Sequence, residues 1–183
     1  MAARAVPAPL AQLPNALTLA RLGLIPVFVA LMVRAEGGPS WAAGIVFGVA
    51  GITDQVDGYL ARRWHVESSF GRIADPLADR LMIDAAVILL FAYGRLPWVG
   101  LALIVARDAL LIGGYRVLAP RGVEVEVNVV GKAATWVLYA AIAFRIVTAD
   151  STRWPLALFW VGVALALVAA ALYGVRAGRE VRR

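Results

Sequence analysis

The sequence predicts an all-α polytopic membrane protein, with six transmembrane helices and a short N-terminal interfacial helix. Three observations carry this expectation. Of 183 residues, 62% are hydrophobic and 16% charged, against roughly 45–50% and about 25% in soluble domains. The apolar residues fall into runs broken by glycine, proline and charge, the pattern of successive spans. Arginines crowd the loops of one face: Arg4, Arg62, Arg63, Arg72, Arg121, Arg176, Arg179, Arg182 and Arg183, against Arg34, Arg95 and Arg153 at the other.

Taken in order, residues 8–15, with Pro9 and Pro14, read as the interfacial segment, and residues 17–34 as the first span. The second span covers 40–62 and is closed by Arg62-Arg63. The third covers 73–93 and is ended by Gly94-Arg95, and the fourth covers 96–117, before Pro120-Arg121-Gly122. The fifth and sixth cover 129–148 and 154–176. Each has about the 17–25 residues needed to cross a bilayer. No linker or low-complexity block interrupts 1–183, which reads as one domain. The positive-inside rule puts both termini and the arginine-rich loops in the cytoplasm, across a bacterial inner membrane.

The net charge of +6 is assigned to anionic headgroups rather than nucleic acid. There is no cysteine and one histidine, His65, which excludes thiolate zinc sites, cysteine nucleophiles and multi-histidine metal sites. A metal must be held mainly by oxygen ligands, which favours magnesium, manganese or calcium. Trp98, Trp154 and Trp160 read as interfacial or packing residues, and Arg145 as an anchor at the non-cytoplasmic face.

Acidic residues are the anomaly. Asp54 and Asp57 share one helix face at i, i+3, and Asp75 and Asp79 share one at i, i+4, on consecutive spans. A carboxylate at membrane depth costs about 2.5–3.5 kcal/mol, so four unpaired ones cost about 10 kcal/mol and repel one another. Arg62, Arg72 and Arg80 could offset part of this; two divalent cations about 3.5–4 Å apart would do it better and suit phosphoryl displacement. Gly58, Ala61 and Gly71 leave room beside them. Gly58 alone is equally explained by close helix packing. Two other classes compete. A divalent-cation transporter explains buried acids but not the small residues and arginine at fixed spacing. A purely structural membrane protein explains no cluster of carboxylates at one depth.

The string Asp54-Gln55-Val56-Asp57-Gly58-Tyr59-Leu60-Ala61-Arg62, followed after eight residues by Gly71 and then by Asp75 and Asp79, resembles the signature of the CDP-alcohol phosphotransferases, D-x2-D-G-x2-A-R-x8-G-x3-D-x3-D. All eight fixed positions and every spacer match. The resemblance implies a six-helix membrane enzyme, usually a homodimer, that transfers a substituted phosphate from a CDP-linked donor to an alcohol and releases CMP at the cytoplasmic face. It implies that Asp54, Asp57, Asp75 and Asp79 bind two Mg2+ or Mn2+ ions. It makes Asp79 the general base, and lines the CDP site with Gly58, Ala61, Arg62 and Gly71 beside Asp57 and Asp75.

Leu13-Pro14-Asn15-Ala16-Leu17-Thr18-Leu19-Ala20-Arg21 resembles the bacterial phosphatidylglycerophosphate and cardiolipin synthase branch, whose donor is CDP-diacylglycerol. Asn15 and Arg21 then reach the donor phosphates, although Asn15 also suits a helix N-cap and Arg21 a lipid-headgroup contact. For the acceptor, Ala106-Arg107-Asp108-Ala109-Leu110-Leu111-Ile112 looks like the cardiolipin synthases. Val130-Gly131-Lys132-Ala133-Ala134-Thr135 matches the G-K-x-K-T element of the phosphatidylglycerophosphate synthases only in part, with Ala134 in place of the second lysine. A phosphate monoester wants several cationic donors, so the reading leans to phosphatidylglycerol, with glycerol 3-phosphate the alternative. Arg107, Arg116 and Lys132 are the acceptor candidates. Arg107-Asp108 also suits an intramembrane ion pair, and Lys132 a mere helix end.

Overall fold

Six α-helices, and no strand, occur among the described residues: α1 (Leu13–Arg34), α2 (Trp41–Trp64), α3 (Gly71–Ala92), α4 (Trp98–Leu118), α5 (Val129–Val147) and α6 (Trp154–Glu180). The computed structural model describes residues 13–64, 71–118 and 129–180, with side chains at 16–53, 80–110, 129–172 and 174. The expected spans agree with the six helices to within a few residues at most ends. One expectation changes: residues 13–15 are continuous with α1 rather than part of a separate interfacial helix, and residues 8–12 lie outside the described residues. The acidic segment Val123–Val127 and His65 also lie outside them.

Three helical stretches are long and apolar enough to cross a membrane among the described residues: Ala16–Arg34, Val129–Val147 and Trp154–Leu172. Trp41–Thr53 is a shorter apolar stretch. The protein is an all-helical membrane protein.

Local chemistry sets the turns. Glu36 and Gly37 take φ of 48° and 80°, ending α1. Ser40 then caps α2, its Oγ accepting from Ala43 N at 3.2 Å. After α3, Gly94 adopts φ 70°, the left-handed conformation that glycine takes at least cost. That turn lets Arg95 N donate to Leu90 O at 2.7 Å. Pro97 precedes α4, and Pro155 occupies the first turn of α6, where a missing N–H costs no intrahelical bond.

The chain forms two compact units, Met1–Leu89 and Leu90–Arg183. In the first, α1 packs on α2. Thr18, Arg21, Phe28 and Met32 are fully buried along one face of α1, and Ala43, Phe47 and Ala50 along one face of α2. The rings of Phe28 and Phe47 lie 5.8 Å apart. The opposite stripe of α2, Trp41, Ile45, Val49 and Ile52, is exposed, as suits a surface facing lipid tails.

In the second unit α6 packs on both α4 and α5. Gly162 of α6 makes one contact possible: a Cβ there would lie 2.8 Å from Leu138 Cγ and 3.1 Å from Leu138 N. Close backbone approach of this kind drives helix association where lipid is as apolar as leucine.

The turns at one end of this unit are tied by charge. Arg95 is 2% exposed and Arg145 8%, and both reach Asp150. Arg95 Nε lies 2.8 Å, and Arg145 Nη2 3.0 Å, from Asp150 Oδ1. Arg95 Nη2 also donates to the carbonyls of Arg145 at 2.7 Å and Thr148 at 2.6 Å, supplying donors to carbonyls that a helix C-terminus leaves unsatisfied. Arg145 Nε returns a bond to Arg95 O at 2.9 Å. Arg145 is therefore part of a knot between the α3–α4 and α5–α6 turns, with two buried guanidiniums meeting an exposed carboxylate, beyond the simple surface anchor that its position suggested.

Three outcomes follow for thermal unfolding in mild detergent. Asp150→Ala strips a charge-assisted partner from two buried guanidiniums and destabilises by about 2 kcal/mol. The exposed Arg153→Ala stays within about 0.5 kcal/mol of the parent. Gly162→Ala forces its methyl against the Leu138 backbone and costs about 1–3 kcal/mol.

Candidate functional site

The signature residues lie on two consecutive helices of the first unit. Asp54, Asp57, Gly58, Ala61 and Arg62 belong to α2, and Gly71, Asp75 and Asp79 to α3. The side chains of these eight residues lie outside the described residues, as does the connecting segment 65–70. The backbone is helical at all eight positions, so the carboxylate spacings read from the sequence apply. Asp54 and Asp57 are about 4.5 Å apart along the α2 axis, and Asp75 and Asp79 about 6 Å apart along α3.

Just ahead of the first aspartate, the Thr53 hydroxyl donates to the Val49 and Ala50 carbonyls, both at 2.9 Å. Its hydrogen-bonding capacity is thereby turned back onto its own helix. Back-bonding of this kind tends to bend a helix locally.

On α1, Arg21 and Thr18 are both fully buried, one turn apart. Arg21 is thus enclosed by protein. Asn15 sits inside the first turn of α1 rather than ahead of it, and its side chain lies outside the described residues.

The acceptor candidates belong to the second unit. Arg107 Nη1 lies 3.5 Å from Asp108 Oδ1, and the two side chains are only 16% and 10% exposed. The ion pair allowed for in the sequence is therefore present. It is an unusual one, because neighbours at i, i+1 do not face each other on a helix. Arg116 is on α4, with its side chain outside the described residues. Lys132 is exposed in the first turn of α5, and Ala134 beside it is completely buried. The Thr135 hydroxyl donates to Gly131 O at 3.1 Å.

Arg107 and Lys132 are carried by different neighbours of α6. Arg107 lies about 14 Å along α4 from Trp98, and Lys132 about 20 Å along α5 from Arg145. The knot of Arg95, Arg145 and Asp150 joins the ends from which both distances run. Sequence reasoning missed this knot. Its one available signal was that Asp150 is the sole acid between Glu126 and Glu180.

Comparison with known proteins bears on what these helices do. A profile of the CDP-alcohol phosphatidyltransferase family matches residues 11–169. The chain is 39% identical to the cardiolipin synthase (CMP-forming) of Streptomyces coelicolor over 184 aligned positions, covering 93% of this chain and 84% of that one. It is 38% identical to the CDP-diacylglycerol–glycerol-3-phosphate 3-phosphatidyltransferase of Bacillus subtilis over 144 residues, 72% of this chain and 75% of the relative. The Escherichia coli K12 protein of the same name is 34% identical over 165 residues, 79% and 91%. The matched region takes in the whole signature, all of α1 to α5 and most of α6, and on these grounds the chain belongs to the CDP-alcohol phosphatidyltransferase family of membrane transferases.

Proposed function

We propose that this transferase moves a phosphatidyl group from CDP-diacylglycerol to phosphatidylglycerol, giving cardiolipin and CMP. The family generally depends on divalent cations. Four aspartates offer the hard oxygen donors that Mg2+ or Mn2+ requires, and Asp54, Asp57, Asp75 and Asp79 would hold two such ions. Bound there, the ions supply positive charge against the donor pyrophosphate and the departing CMP.

The remaining work falls to the chain. Asp79 takes the proton of the acceptor hydroxyl as its oxygen attacks the phosphorus bearing the diacylglycerol. The bond from that phosphorus to CMP breaks, and CMP leaves with the electron pair. Gly58, Ala61 and Gly71 leave space for the cytidine, with Arg62, Asp57 and Asp75 beside it. Asn15 and Arg21 meet the donor phosphates, and the burial of Arg21 supports an inward role. Arg107, Arg116 and Lys132 hold the acceptor phosphate. The whole chain acts as one domain of six spans in a bacterial cytoplasmic membrane, with the termini and the reaction at the cytoplasmic face, as a homodimer.

The observation that carries the choice of acceptor is Ala134. It is fully buried where the G-K-x-K-T element has its second lysine, so Lys132 stands without that neighbour. The Arg107 charge is in turn partly offset by Asp108. Both features suit a phosphodiester better than the nearly doubly charged monoester of glycerol 3-phosphate. The second reading, a phosphatidylglycerophosphate synthase, is favoured by the likeness to the Bacillus and Escherichia enzymes and by the exposed Lys132.

Purified protein in mixed micelles with CDP-diacylglycerol and Mg2+ decides between them. CMP release is expected with phosphatidylglycerol and not with glycerol 3-phosphate; the reverse pattern overturns the cardiolipin reading. Asp79→Asn is expected to slow CMP release by about 10²–10⁴-fold while CDP-diacylglycerol still binds. Lys132→Ala is expected to raise the acceptor KM about tenfold, equivalent to about 1.4 kcal/mol, with the donor KM unmoved.

A further inference from the structure

One face of α5 is left over by the packing described above. Ala134, Leu138, Ala141 and Ile142 are buried inside the unit. On the other side, at the start of the helix, Val129 is 81% and Trp136 55% exposed, with Lys132 and Ala133 exposed between them. This stretch is apolar apart from the lysine and the indole. The two stand at i, i+4, so they are neighbours on the helix surface, about 6 Å apart along the axis.

Helix stability does not account for the lysine. A cation in a first turn runs against the helix dipole, which favours acids there. α5 contains no acid to pair with it, and no ion pair holds it among the described residues. The Thr135 hydroxyl adds no donor to this surface, because it is turned onto Gly131 O at 3.1 Å. The surface therefore offers an ammonium in the first turn and a single indole N–H one turn further in.

That order matches a glycerophospholipid standing beside α5 with its headgroup at the start of the helix. Its phosphodiester lies level with the first turn, where lysine attracts anionic headgroups. Its ester carbonyls lie deeper, at the level where an indole places its ring among chains and its N–H on an acceptor. Glycerol 3-phosphate has the phosphate but neither ester carbonyl nor chain, so it uses the lysine and leaves the indole idle.

We propose that Lys132 and Trp136 together seat the acceptor lipid, the ammonium on its phosphodiester and the indole on an ester carbonyl. Trp136 is then a specificity-determining residue that favours a diacyl acceptor over a water-soluble phosphate ester. The inference rests on the reading that the acceptor is phosphatidylglycerol and that α5 begins at headgroup level. Holding the lipid at two points along one helix fixes the height at which its glycerol hydroxyl is presented for transfer.

Two measurements on the full-length protein test this. In mixed micelles with CDP-diacylglycerol and Mg2+, Trp136→Leu is expected to raise the phosphatidylglycerol KM about threefold to tenfold, with kcat and the CDP-diacylglycerol KM within about twofold of the parent. In phosphatidylcholine nanodiscs, the emission lost on Trp136→Phe isolates this indole from the other five tryptophans. That emission is expected to be quenched more by brominated-chain phosphatidylglycerol than by brominated-chain phosphatidylcholine at equal mole fraction, and the preference is expected to vanish in Lys132→Ala. Equal quenching by the two lipids, or a preference that survives Lys132→Ala, makes Trp136 an ordinary interfacial anchor and overturns the inference alone. A phosphatidylglycerol KM unchanged in both Trp136 variants does the same. Turnover by the parent with glycerol 3-phosphate and never with phosphatidylglycerol overturns the acceptor reading and this inference together.

Discussion

A charge inside an apolar helical bundle must be met by an opposite charge or by hydrogen bonds, because the bilayer offers neither. That constraint organises the described part of this protein. In the Leu90–Arg183 unit, two nearly buried arginines share Asp150 and satisfy carbonyls at the end of α5. The same contacts tie the turn before α4 to the turn after α5.

The same constraint gives the signature its meaning. Four aspartates on α2 and α3 cannot lie together in an apolar chain without compensating charge, and divalent cations are the most compact source of it. Cations held by carboxylates are also what a pyrophosphate donor needs at its reacting phosphorus. On the proposed reading, structural necessity and catalytic use coincide on these two helices. The proposed acceptor residues carry less charge: one exposed lysine, one arginine partly offset by its neighbour, and a buried alanine where a further cation would stand.

Much of the architecture was legible in the sequence, because glycine, proline and arginine punctuate apolar runs wherever a span ends. Gly94 was readable as the end of a span, and it acts as such here. The start of α1 was not legible: Pro14 suggested a break, yet a proline in the first turn of a helix costs no hydrogen bond, and the helix runs through it. The Arg95–Asp150–Arg145 knot was hidden for another reason. Its members are 50 and 55 residues apart, and only the packing of α4 and α5 against α6 brings their turns together. Ala134 was legible as a missing lysine, but its burial, which gives the substitution its physical force, depended on the fold.

The central claim is that the aspartates of α2 and α3 form a metal site serving a CDP-linked donor. Its most direct test is a Mn2+ titration of the purified protein in the presence of CDP, with free ion followed by electron paramagnetic resonance. The account expects saturable binding of about two ions per chain, strengthened by CDP and lost in part on Asp75→Asn. Absence of saturable binding, or a stoichiometry indifferent to Asp75→Asn, would contradict it.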